Sequence, residues 1–219
     1  RRKFLDRTLT LIDASYVENL VHYQRAIKQR NALLRENKSV SPDELAIWDE
    51  ALVNYGSILV EKRKQLLGLL EPKISLYYEK LLGESLAEEK VSIFYESDFL
   101  DREGNIFSKE ELKKIYKEHF EKDLRYTRTT FGTHTDDFIL FLDTGFGKKK
   151  ARSIASQGQA RSFSLALILA SIDYVEEKKK QAPILLLDDV ESELDAERKK
   201  ALYEICLLYT SPSPRDDSQ

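Results

Sequence analysis

Apolar residues recur at helical spacing through the first eighty positions of the chain. Tyr16, Leu20, Tyr23, Ile27 and Leu34 form one stripe, interleaved with Arg25, Lys28 and Arg30, and the spacing predicts a helix. The string NKSVSP interrupts it. Ser41-Pro42-Asp43-Glu44 then carries the marks of a helix start, with Ser41 as N-cap, Pro42 in the first helical position and Glu44 closing a capping box. The next helix carries Leu45, Trp48, Leu52, Tyr55, Leu59, Leu66 and Leu69. Two long helices joined by a short turn make an antiparallel hairpin.

Between 83 and 143 the pattern is mixed. Val91, Ile93 and Tyr95 alternate with Ser92 and Glu96, although Phe94 blurs the alternation, and a strand is expected. REGN at 102–105 reads as a turn. Ser108 and Glu111 form a second capping box, followed by Leu112, Ile115, Tyr116 and Phe120 on one helix face. TRTTF and DFILFLD read as strands, and DTGFG as a hairpin turn leading into KKKARS.

From 156 to 207 the character changes again. The helix expected at 160–176 is apolar nearly all round, through Phe163, Leu165, Ala166, Leu167, Leu169, Ala170 and Ile172, so it should be buried on most sides. PILLLDD has the uninterrupted apolar run of a central parallel strand covered on both faces. AERKKALYEIC reads as one more helix. The tail LLYTSPSPRDDSQ has no periodicity, and its two Ser-Pro steps favour an extended end.

Composition narrows the picture. The 219 residues suit one large domain or two small ones, with 42% hydrophobic and 33% charged residues. The net charge of −3 is not that of a strongly basic nucleic-acid binder, so any contact with DNA must come from a local patch. A single cysteine, Cys206, excludes an internal disulfide, and a reducing, cytoplasmic setting is the default expectation. The longest apolar run, LALILA at 165–170, is too short to span a bilayer. The chain opens RRKFLDR and contains no Met, which reads as an internal fragment.

Three short segments carry candidate chemistry. LLLDD is the Walker B arrangement, an apolar strand ending in two acids. There Asp188 would hold Mg²⁺ and Asp189 would polarise the attacking water. The same acids can instead cap the next turn. SQGQ opens a helix, where Ser156 offers a hydroxyl and Gly158 lets a ligand approach the backbone. The free N–H groups of a helix start suit a phosphate, though an ordinary Gly-containing cap fits the same letters. Ser192-Glu193-Leu194-Asp195 follows, and Asp195 also suits the N-cap of the last helix. In order and spacing the three match the second half of an ABC-type ATPase head: signature motif, Walker B and D-loop. No G-x-x-x-x-G-K-[ST] occurs in the chain; LDTGFGKKK is the nearest imitation, with Leu142 in the place of the first Gly and Lys149 in that of Ser or Thr. The phosphate loop is therefore expected upstream of Arg1.

The chain resembles the RecF family, bacterial recombination mediators of the SMC-like ABC group, nearly throughout its length up to Cys206. RRKFLDR, YQRAIKQRNALL and WDEALVNYG are similar to the family's arm segments. GTHTDDF resembles G-P-H-R-D-D, with Thr133 and Thr135 in place of Pro and Arg. SQGQARS resembles S-Q-G-Q-Q-R-T, departing at Ala160 and Ser162, and PILLLDDVESELDAERK is similar throughout. The resemblance implies a mixed α/β fold, the second half of an ABC/SMC-like P-loop ATPase head with an inserted, mainly α-helical arm. The arm would occupy 1–125 and the half-head 126–207. Residues 208–219 would be a disordered tail resembling translated cloning sequence.

The resemblance further implies a slow ATPase that binds ATP and Mg²⁺ and closes as an ATP-dependent homodimer. Ser156, Gln157, Gly158, Gln159 and Arg161 of one copy would face the nucleotide of the other. Ser192 and Asp195 would form the D-loop, Asp188 would be the metal ligand and Asp189 the catalytic acid. Implied partners are DNA near single-strand–double-strand junctions, RecR, RecO and RecA, in a cytoplasmic, nucleoid-associated setting. Without Walker A the chain alone should be inactive. Lys62, Arg63, Lys64, Lys148, Lys149 and Lys150 are candidate DNA phosphate contacts, or solvated surface charges. A rival reading makes the hairpin at 15–70 a dimerisation or partner-docking module of another SMC-like protein, with vestigial nucleotide motifs.

Overall fold

The computed structural model describes all residues except 37–39, 83–89, 144–146, 182, 187–193 and 211–219, and the backbone alone at 208–210. Its elements in chain order are α1 (Arg2–Ile12), α2 (Ala14–Glu36), α3 (Pro42–Leu82), β1 (Lys90–Glu96), α4 (Lys109–Glu118), α5 (Phe120–Tyr126), β2 (Asp137–Asp143), β3 (Lys148–Lys150), α6 (Ala151–Ile154), α7 (Gln157–Lys179) and α8 (Ala196–Thr210). The strands form one sheet of order β1-β2-β3. β2 and β3 are antiparallel, with Leu142 opposite Lys149, so the expected hairpin is present. Three exposed lysines on the short β3 make it a poor template for further strand pairing.

Both expected capping boxes form. Glu44 N–H donates to Ser41 Oγ at 3.3 Å and Ser41 N–H to Glu44 Oε2 at 2.7 Å. Ser108 and Glu111 reproduce the arrangement at α4. The antiparallel course of α2 and α3 shows in their side-chain pairs, since Arg30 meets Asp49, His22 stacks on Tyr55 and Tyr16 meets Arg63. As one number falls the other rises.

TRTTF is not a strand. Thr127 takes the left-handed conformation, φ 52°, as C-cap of α5, and the next N–H groups bond to side chains instead of a ladder. Thr129 N–H donates to Asn31 Oδ1 at 2.7 Å and Thr130 N–H to Asp123 Oδ1 at 2.8 Å. PILLLDD also differs from expectation over its described part. Residues 183–186 pair with no described strand, and Ile184 and Leu186 are 88% and 87% exposed. A central parallel strand draws its burial from neighbours on both sides, and among the described residues it has none. α8 runs to Thr210, three residues into the expected tail.

The chain divides into two compact units, one of Arg1–Leu67 with Phe94–Phe138 and one of Gly68–Ile93 with the chain from Ile139 onward. The division does not follow the sequence boundary at 125. α3 contributes to both units, and its second half packs with α7 through Tyr78 stacked on Phe163 at 4.0 Å and Tyr77 Oη donating to Asp173.

The first unit is built around two buried arginines. Arg30 donates to Asp49 and Asp123, each at 2.6 Å, and to Thr129 at 3.0 Å. Arg63, 1% exposed, donates to Asp6 at 2.9 Å, Asp136 at 2.8 Å and the Thr133 carbonyl at 2.9 Å. Tyr95 Oη also donates to Asp136. Burial pushes the Asp136 carboxyl up to about 6, against the pull of Arg63. A folded chain therefore holds this proton more tightly than an unfolded one, whose carboxyl titrates near 3.8. The contribution of Asp136 to stability is largest at low pH and is lost as pH rises from 3.8 to about 6. Asp136→Asn is expected to remove a fall on the order of 2–3 kcal/mol across that interval. Urea melts of both proteins at half-unit pH steps test this, and parallel stability curves would contradict it.

Candidate functional site

The second unit presents the SQGQ turn at the start of α7. Ser156 is extended, at φ −64° and ψ 165°, and its Oγ accepts from Gln159 N–H at 3.2 Å. Gln159 Oε1 accepts in return from Ser156 N–H at 2.8 Å. The Ser-x-x-Gln spacing is thus a capping box, and the cap reading of Ser156 holds whatever else this residue does. Ser156 and Gln157 remain exposed, and Gly158, Gln159 and Arg161 are half-buried. The first-turn N–H groups of Gln157 and Gly158 have no acceptor within the helix. The end of α7 thus presents donors, a positive dipole end and a hydroxyl on one exposed turn.

Gly158 lies beneath the guanidinium of Arg198. A Cβ at this position would sit 2.1 Å from Nη1 of Arg198 and 3.1 Å from its guanidinium carbon. Arg198 is in the first turn of α8, where Asp195 Oδ1 caps the helix by accepting Arg198 N–H at 2.9 Å. Asp195 Oδ2 also pairs with the guanidinium at 3.1 Å. One side chain therefore ties the Asp195 segment to the SQGQ turn and adds a positive charge there. Sequence reasoning missed Arg198. Its only trace in the sequence was a Gly in one motif and an Arg three residues beyond another.

Asp188, Asp189 and Ser192 lie outside the described residues. Among the described residues no cluster of three His, Cys, Asp or Glu side chains suits a metal ion. Among the described residues the SQGQ turn offers the kind of donor set that a phosphate accepts, and the nearby Asp195 is paired with Arg198.

GTHTDDF belongs to the first unit and is a structural junction. Gly132 has φ +135°, and a Cβ there would lie 2.7 Å from both Tyr116 Oη and Tyr23 Oη. His134 Nε2 bonds to the Thr129 carbonyl at 3.1 Å and Nδ1 to Tyr23 Oη at 3.0 Å. Burial lowers the His134 pKa from its ordinary value and pushes Tyr23 up to about 12. Thr133 is buried, whereas Thr135 is exposed and bonds to Asp98 and to the Gly132 carbonyl. Asp137 pairs with Arg1. The segment is a polar strand entry held by side-chain hydrogen bonds, several of them to backbone.

The six candidate DNA contacts differ in how free their charges are. Arg63 is withdrawn from the surface, because its donors are taken by Asp6, Asp136 and the Thr133 carbonyl. Lys62 pairs with Asp13 at 2.9 Å, and that bond holds the Asp13 carboxyl down to about 2. Lys64 donates to the Gly104 carbonyl. Lys148, Lys149 and Lys150 are exposed along β3.

Comparison with known proteins agrees with these motifs. No protein-family model matches the chain. The DNA replication and repair protein RecF of Trichlorobacter lovleyi is 38% identical over 199 residues, which is 90% of this chain and 51% of that protein. RecF of Clostridium acetobutylicum is 36% identical over 200 residues, 91% of this chain and 52% of that protein. The chain spans about half the length of the curated relatives it matches. A solved structure of the recombination mediator RecF with ATP, in the RecFOR pathway, superimposes with a TM-score of 0.80 at 31% identity, covering 100% of this chain and 58% of that one. A second RecF structure, with an ATP analogue, gives 0.77 at 32% identity over 94% of this chain and 54% of that one. The chain thus resembles RecF in sequence and shares the fold of the corresponding part of an ABC/SMC-like ATPase. The match runs through the helical hairpin as well as the nucleotide motifs, and it does not favour the docking-module reading.

Proposed function

We propose that this chain, similar to RecF proteins along nine-tenths of its length, is a working part of a RecF-type recombination mediator. It supplies a helical arm and the half of an ATPase head that receives a second copy's nucleotide. The observation that carries the proposal is the turn at Ser156–Gly158, an exposed helix start with Arg198 laid across its glycine. Helix starts of this kind accept phosphate. The resemblance to an ABC-type ATPase head implies that the phosphate this turn meets would be bound by another copy. ATP between two heads would then close a homodimer on DNA. Asp188 would hold Mg²⁺, which neutralises phosphate charge when bound, and Asp189 would orient the attacking water. Ser192 and Asp195 would line the opposing edge, with Arg198 fixing Asp195 in place. Hydrolysis would be slow and would release the dimer. RecR and RecO would be partners and RecA the protein loaded at gaps. A cytoplasmic, nucleoid-associated location follows from this role, and among the described residues no helix is long and apolar enough to cross a membrane.

Two substitutions at Ser156 test the proposal in the full gene product. Losing an N-cap costs about 1 kcal/mol and should leave dimerisation unchanged. Ser156→Asp keeps a capping oxygen and sets a negative charge against the incoming phosphate; Ser156→Arg fills the turn with a bulky side chain. Both are expected to leave ATP binding by the monomer and the melting temperature near normal, while ATP-dependent dimerisation in sedimentation is lost. Variants that still dimerise on ATP would leave Ser156 as a cap only.

A further inference from the structure

The first unit contains a cavity of about 600 Å³ that no nucleotide motif explains. Among the described residues its wall carries Arg35, Lys122 and Arg128, with Tyr126 beside them, and no Asp or Glu. In a chain with 38 acids against 35 Lys and Arg, a wall with three cations and no acid is a local selection of charge. All four of these side chains are exposed, Tyr126 by 55%. Among the described residues none of the three cations makes an ion pair.

The backbone sets this arrangement firmly. Lys122 and Tyr126 lie one helical turn apart on α5 and so share a face. Asp123, the acid between them in sequence, is turned inward to Arg30 and Thr130. The left-handed turn at Thr127 then folds the chain back, so that Arg128 N–H donates to the Asp123 carbonyl at 3.1 Å. Arg35 enters from the last turn of α2. The cavity floor is pinned where Thr129 N–H and Oγ1 both donate to Asn31 Oδ1, at 2.7 and 2.8 Å.

We propose that this cavity binds a nucleotide unit of an unpaired nucleic-acid strand, with its phosphates on Arg35, Lys122 and Arg128 and its base against the ring of Tyr126. The volume suits one such unit, since ligand cavities run from roughly 300 to 1,000 Å³. Cations that track a backbone, together with an aromatic ring that takes a base face, are the chemistry of single-strand binding. A duplex keeps its bases stacked and cannot bring one to Tyr126. An inorganic anion would have no use for the ring. The proposal rests on the nucleic-acid side of the functional reading and is independent of its ATP side.

The test uses the whole 219-residue chain and a fluorescein-labelled twelve-residue oligothymidine, read by anisotropy across a salt series, with duplex of equal length and polyglutamate as competitors. Arg35→Gln with Arg128→Gln is expected to weaken binding at least about tenfold at low salt. It should also lower the slope of log K against log salt by about 1.4, at about 0.7 per phosphate contact. Tyr126→Ala is expected to weaken oligothymidine binding at least about fivefold while leaving duplex binding unchanged. A wild-type chain that binds while the cavity variants bind equally well overturns the cavity alone. Equal competition by duplex or by polyglutamate overturns the assignment to an unpaired strand. A wild-type chain that binds no strand overturns the cavity and the DNA-binding reading together. Circular dichroism melts of each variant confirm that the chain compared is folded.

Discussion

Arg63→Ala is expected to lower the free energy of unfolding by about 3–5 kcal/mol, the range found when one partner of a buried ion pair is removed. Arg63 is almost fully buried, and it serves Asp6, Asp136, Tyr16 and the Thr133 carbonyl at once. Burial disfavours its charge, yet Tyr16, Tyr95, Asp6 and Asp136 raise its pKa above the ordinary arginine value. Deleting it takes the guanidinium away from the buried Asp136 carboxyl, which keeps the Tyr95 hydroxyl. Lys64→Ala, one residue on, is the matched control and should change stability by less than about 1 kcal/mol, because that lysine is exposed. Urea unfolding of the two variants decides the matter. If Arg63→Ala is as mild as Lys64→Ala, the arginine is a surface charge, as the sequence alone allowed.

In the full gene product, Asp189→Asn is expected to slow ATP hydrolysis by roughly 10²–10⁴-fold while ATP binding and dimerisation persist. The carboxylate oxygen is what would orient water for attack, and an amide of the same shape cannot draw a proton from it. Asp188→Asn is expected to weaken Mg²⁺-dependent ATP binding as well. Steady-state phosphate release and calorimetry on both variants check the pair. Unchanged hydrolysis in both would remove the Walker B assignment.

Much of the local structure was legible because it depends on neighbours in sequence. The capping boxes at Ser41 and Ser108 each need a polar side chain and an acid three residues on, and both stand in the sequence. The hairpin of α2 and α3 follows from two apolar stripes and the short break between them. The course of β2 and β3 follows from the apolar run of DFILFLD and the glycine-containing DTGFG segment after it. The failures share one cause. TRTTF has β-branched residues at strand spacing, but Asn31 and Asp123 bind its backbone, and they lie 98 and 7 residues away. A strand propensity of a few tenths of a kcal/mol per residue yields to such bonds. PILLL reads as buried, but burial needs neighbouring strands, and positions 183–186 have none among the described residues.

The candidate site divides in the same way. By itself the sequence determined that a small-residue turn opens α7, that two acids follow an apolar run, and that the motif order is that of an ATPase half-head. These are properties of composition and spacing. Only the tertiary structure decided that Arg63 is interior and Lys64 is not, although the two are adjacent and both cationic. It alone brought Arg198 over Gly158 and drew Arg35, Lys122 and Arg128 around one cavity. Charge has no periodicity that marks it as inward or outward. A cation is buried where the fold delivers carboxylates from distant positions to compensate it, and it remains in water where the fold delivers none.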